Sequence, residues 1–233
     1  MQANAHIIVA GHASEAIMAF DADIRQWTTV AAFVEYLQTL PKPTWIKGIC
    51  NHNTYRPDEY TWAGMASMRS LLAFYRDTRQ WPSGPQLFLA AQAPKSKDKG
   101  IFQLTPITHQ GTHAGPCNAT MLGVESVGDF EARPPTELQY HLMLAINRAI
   151  LKHWTIPYTR VNVHNECMEG RICPGQYLTG EQIRASLGTR IVHAGPFGAI
   201  ARQDYMAAAP AAAYFPPGAA IEIDDFSKNS YRH

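Results

Sequence analysis

From residue 23 to residue 187, short apolar runs alternate with stretches of helical periodicity, and this alternation confines the chain to an α/β architecture. The clearest helix is TELQYHLMLAINRAILKH, where Leu138, Leu142, Ala145, Ile146, Ala149 and Ile150 share one stripe. Residues 23–40, DIRQWTTVAAFVEYLQTL, set Trp27, Val30, Phe33 or Val34 and Leu37 on one face and predict a second helix, stopped by PKP. MASMRSLLAFYRD predicts a third. TWIKGIC, PQLFLAAQ, GIFQLTP and TMLGVESVG predict strands, the middle two flanking the turn-forming PKSKDKG. The expected fold is a central mixed β-sheet flanked by helices. After GEQIRASLG the texture turns to Gly, Pro and Ala, which predicts a small β-rich C-terminal appendage. The chain thus divides into an N-terminal segment and helix packed on the domain (1–43), a main domain (44–187), and the appendage and tail (188–233).

A length of 233 residues suits one such domain with a sizeable core and leaves no room for two. A net charge of +1 gives no electrostatic case for nucleic-acid binding. No stretch approaches the apolar length of a membrane span, and the N-terminus lacks the basic start of a signal peptide. The expectation is a soluble monomer made in a cytoplasm. There Cys50, Cys117, Cys167 and Cys173 would be reduced thiols or metal ligands rather than disulfides.

Chemistry concentrates in HNECMEGRICPG, His164 to Gly175. By composition this is a metal site, a disulfide loop or a polar surface loop with a structural cysteine. A catalytic zinc needs three nitrogen, oxygen or thiolate ligands and keeps a fourth position for water. His164 and Cys173, with a Pro-Gly turn after the cysteine, suit two of these, and His52, at the end of the strand predicted from TWIKGIC, suits the third. Cys50 shares His52's side of that strand by period-two spacing, but neither it nor Cys117 nor Cys167 is nominated as a ligand.

Three segments together narrow the reading. WIKGICNHNTYRP, GTHAGPCNATMLGVESVG and VHNECMEGRICPGQYL resemble, in order and spacing, the three signature segments of the zinc-dependent N-acetylmuramoyl-L-alanine amidases of type 2, the group that includes the peptidoglycan recognition proteins. The resemblance covers roughly residues 44–187. It implies Zn2+ held by His52, His164 and Cys173, with Glu125 as general base and Arg171 as the cation that stabilises the oxyanion where the family usually has lysine. It also implies that His113 and Asn118 line the substrate cleft. A catalytic tyrosine used by one branch is missing, since the matching GPQLFL supplies Pro85 and Gln86.

The activity so implied is cleavage of the amide bond between N-acetylmuramic acid and the L-alanine of the stem peptide, with peptidoglycan or a muropeptide as substrate. Amide hydrolysis needs an activated water, a Lewis acid at the carbonyl and a proton carrier, and a metal with a glutamate and a cation supplies them. The rivals are a non-catalytic peptidoglycan-binding protein on the same fold, which loss of the ligand cysteine would mark, and another zinc amidohydrolase or structural zinc site. The appendage tilts the setting towards a phage-type endolysin, against a recycling enzyme or an exported effector.

Overall fold

A computed structural model describes residues 24–91 and 97–188. The elements in chain order are β1 (Arg25–Trp27), α1 (Val30–Gln38), β2 (Gly48–Asn53), α2 (Met65–Ala73) continued by a π-helical turn (Phe74–Thr78), β3 (Leu87–Ala90), β4 (Gly100–Gln103), β5 (Met121–Ser126), α3 (Glu137–Trp154), β6 (Val161–Val163), the single turn α4 (His164–Cys167) and α5 (Gly180–Gly188). Among the described residues, six strands form one sheet in the order β1-β4-β3-β5-β2-β6. The pairs β3–β5, β5–β2 and β2–β6 are parallel, and β4 runs antiparallel to both β3 and β1. The sheet is mixed and flanked by helices, as expected.

Period-two alternation along the central strands decides what each face carries. Ile49 of β2 and Leu122 and Val124 of β5 enter the larger core with Phe33 and Leu37 of α1, Leu142, Ile146 and Ile150 of α3 and Ile183 of α5. Asn51, on the same side as Ile49, accepts a hydrogen bond from the Asn147 amide of α3 at 3.1 Å. The intervening residues Cys50, His52, Gly123 and Glu125 therefore face the opposite side. On that side α2 covers only the β3–β4 half, packing Met68, Leu71 and Leu72 on Phe88, Ala90 and Phe102. The β5–β2 half is left to loops, and this is where the chemistry lies.

The helix predicted over residues 23–40 is shorter than expected. Arg25–Trp27 pairs as an edge strand with Ile101–Gln103, and the helix begins at Val30. The break falls at two consecutive β-branched threonines: Thr29 is extended, and its hydroxyl accepts the Ala32 N–H as the N-cap. Trp27 still reaches the core, edge-on to Phe33 with ring centroids 5.3 Å apart. Helix α3 matches its predicted stripe and opens with a reciprocal capping box between Thr136 and Gln139. The β-rich appendage expected over 188–233 falls, apart from Gly188 at the end of α5, outside the described residues.

The cysteines depart from expectation as well. Cys117 and Cys167 form a disulfide with Cα atoms 5.8 Å apart, where free thiols were expected. The fold brings the 3-10 turn Gly115–Ala119 against α4, and the bond clips these two loops together over the open half of the sheet. Cys50 is free and buried, with its sulfur 3.7 Å from that of Cys167. Among the described residues no helix is long and apolar enough to cross a membrane.

Candidate metal centre and active site

Strand β2 delivers His52 to the floor of the site, where it is 1% exposed. Strand β6, too short to be seen in the sequence, runs parallel to β2 and leads directly into His164 at the start of α4. Two ties hold this turn: the Glu166 carboxylate accepts the Val163 N–H and receives both terminal nitrogens of Arg184, each at 2.9 Å. The loop then folds back on itself, because Asn165 N–H donates to the Cys173 carbonyl at 3.0 Å. Gly175 completes the turn at φ +110°, and a Cβ there would lie 2.3 Å from the Phe130–Glu131 backbone.

The result is convergence of the three nominated ligands. His52 Nδ1 lies 3.1 Å from His164 Nδ1 and 3.7 Å from Cys173 Sγ, and the ligand atoms of the three residues all fall within 4.8 Å of one another. A tetrahedral zinc with ordinary bond lengths separates two nitrogens by about 3.4 Å and a nitrogen from a sulfur by about 3.6 Å. The donor set and its spacing fit that ion. His164 also has a buried Nε2 with no partner among the described residues. Cys50, His52 and His113 form a second close group, but all three are buried, whereas His164 and Cys173 are half-buried.

Burial sets the protonation states. It lowers His52 well below the usual imidazole range, helped by His113 and His164, and lowers His113 to about 4. His164 is lowered by burial and by the charge of Arg171. The histidines are thus neutral with lone pairs to offer. Cys173 is raised by burial and then by Glu125, so its thiol keeps its proton until a cation displaces it.

Glu125 sits directly across from His52 in the β2–β5 register, with Oε1 3.8 Å from His52 Nδ1. It is 6% exposed, and burial pushes its carboxyl well above the usual range. Arg171 is exposed on the loop between His164 and Cys173, and its charge lowers the pKa of both. For His113 and Asn118, which the resemblance implies line the substrate cleft, the structure gives contacts within the protein. His113 is buried with both ring nitrogens engaged, by His52 Nε2 and by the Met121 carbonyl, each at 3.0 Å. Asn118 turns its side-chain oxygen inward to accept the N–H groups of His113 and Ala114 at 2.9 and 2.7 Å.

The sequence reading missed Tyr75. It comes from the π-helical turn after α2, and burial together with the charges of Glu125 and Cys173 raises its phenol well above the usual range. A phenol in electrostatic reach of the site thus arrives from the end of the helix predicted from MASMRSLLAFYRD, where nothing in the sequence marked a role. Its ring lies against Gly84, where a Cβ would meet it at 2.9 Å, beside the Pro85 that stands where a tyrosine was sought.

Residues 96–176 match the model of a family described as N-acetylmuramoyl-L-alanine amidase. That span holds six of the seven nominated residues; His52 lies outside it and joins the others through the sheet register. Among solved structures, bumblebee PGRP-SA is similar at 12% identity over 69% of this chain and 87% of its own, with a TM-score of 0.50. The N-acetylmuramoyl-L-alanine amidase LysC from Clostridium intestinale URNW is similar at 22% identity, over 63% of this chain and 87% of its own, with a TM-score of 0.49. The Ph2119 endolysin from the Thermus scotoductus MAT2119 bacteriophage is similar at 19% identity, over 64% and 88%, with a TM-score of 0.45. At 12% identity the likeness to PGRP-SA is one of fold. No curated protein matches the chain.

Proposed function

We propose that the chain is a catalytic member of the type 2 family of N-acetylmuramoyl-L-alanine amidases and peptidoglycan recognition proteins, a zinc-dependent hydrolase of the bond between N-acetylmuramic acid and L-alanine, a reading supported by the match of residues 96–176 to the amidase family model. The observation that carries this reading is the convergence of His52 Nδ1, His164 Nδ1 and Cys173 Sγ beside the carboxyl of Glu125. A binding protein needs no such set. Three ligands rather than four also favour catalysis over a structural ion.

Zinc, when bound, supplies a Lewis acid that polarises the scissile carbonyl and acidifies water. The chain supplies the rest. Glu125 takes a proton from the attacking water at Oε1 and returns it to the departing alanine nitrogen. Its burial suits this work, because a raised carboxyl pKa narrows the gap between accepting and releasing the proton near neutral pH. Arg171 supplies positive charge at the mouth, where the carbonyl oxygen becomes negative.

If Arg171 meets that oxygen, Arg171→Ala lowers kcat by about 10²-fold, on the order of 3 kcal/mol, with little change in KM. Arg171→Lys recovers part of the loss by restoring charge without the planar fork. Steady-state kinetics on a soluble muropeptide check this, and a rise in KM alone would move Arg171 to ground-state binding. The reaction itself is tested on purified peptidoglycan. New alanine amino groups are expected without new reducing sugar ends, since a glycosidase would require a pair of carboxyl groups flanking the cleaved bond. Reducing ends without amino groups would end the amidase reading.

A further inference from the structure

We propose that His113 is a positioning residue that fixes the tautomer of His52, leaving His52 Nδ1 bare and aimed at the metal position. The proposal rests on the zinc reading above for its purpose, while its geometry stands separately. A backbone carbonyl can only accept, so His113 Nε2, 3.0 Å from the Met121 oxygen, carries the ring proton. A neutral imidazole has one N–H, so His113 Nδ1 is an acceptor. The atom facing it at 3.0 Å is His52 Nε2, which must therefore donate. His52 has then spent its one proton, and its Nδ1 presents a lone pair towards His164 Nδ1 and Cys173 Sγ. The Met121 carbonyl thus decides, through two rings, which nitrogen of His52 serves as ligand.

The surroundings are shaped for this pair. The two rings meet edge to face at 88°, with centroids 5.1 Å apart. A Cβ on Gly123, in the middle of β5, would lie 2.8 Å from two carbons of the His113 ring, so the missing side chain is what makes room for it. Asn118 fixes the backbone from which the ring projects, and the Cys117–Cys167 bond clips the following turn in place. These features hold an imidazole that is closed to substrate and has no free nitrogen.

The test measures ring tautomers and zinc affinity in the full chain. Nitrogen-15 NMR of the metal-free protein is expected to show His52 protonated at Nε2 and bare at Nδ1. His113→Phe, which removes the acceptor, should redistribute the His52 proton and weaken zinc binding by about 10–100-fold in chelator competition. His113→Gln keeps an acceptor for His52 and a donor for Met121, and should recover most of that loss. A His52 proton on Nδ1 in the wild-type protein, or wild-type zinc affinity in a folded His113→Phe variant, overturns the proposal. Absence of zinc binding by the wild-type chain would instead overturn the metal reading, and the tautomer measurement would still decide the relay. Should the phenylalanine variant not fold, the wild-type tautomer and the glutamine variant decide it.

Discussion

Glu125→Gln is expected to keep the fold and the zinc and to lower kcat by about 10²–10⁴-fold, the usual contribution of a positioned acid–base group. Glutamine has the same shape, so the packing of β5 beneath the site loops is preserved. What it lacks is the ability to take a proton. The pH profile separates this from a packing defect. Burial raises the Glu125 carboxyl, so the ionised base is present above its pKa and lost as pH falls through it, well above the usual carboxylate range. The wild-type acid limb should reflect that loss, and the glutamine variant should lose the Glu125 contribution to it. Turnover within a few-fold of wild type would make Glu125 structural.

Cys173→Ser should cost the protein its zinc and with it the activity. Serine keeps the size of the side chain and its place between Arg171 and the Pro-Gly turn, so far-UV circular dichroism should be unchanged. It does not offer a thiolate. In the metal-free wild-type chain, burial and Glu125 hold the Cys173 thiol in its protonated form, so the incoming cation must displace a proton. Zinc affinity of the wild-type protein should therefore rise with pH and weaken on acidification, while His52 and His164, already neutral, contribute little near pH 7. Zinc retained in full by the serine variant would remove Cys173 from the ligand set.

The sequence carried much of this fold because the elements that build it are long or strongly patterned. The stripe on α3 and the apolar runs of β2, β3 and β5 survive as helix and strands. Trp27 misled because a large apolar residue three positions before Val30 fits a helix face as well as an edge strand, and only the Thr28–Thr29 step distinguishes them. Strand β6, at three residues, is below the length at which alternation can be read. His52, His164 and Cys173 could be nominated by residue type and motif order, but their meeting depends on β2 and β6 lying side by side. The disulfide was hidden for a different reason: its cysteines are separated by 50 residues, and the compartment inferred from the N-terminus argued against pairing them. The inward turn of His113 had one visible sign, a glycine inside a strand, which marks a close approach without naming the visitor.

If the chain is an amidase through a metal held by His52, His164 and Cys173, its activity must follow that metal. The most direct measurement is mass spectrometry of the products formed from purified peptidoglycan by chelator-stripped protein, before and after restoring one equivalent of zinc. Stem peptides with a free L-alanine amino terminus are expected only after zinc is restored, alongside glycan strands that keep the lactyl carboxylate. Identical products with and without zinc, or no released peptide in either case, would contradict it.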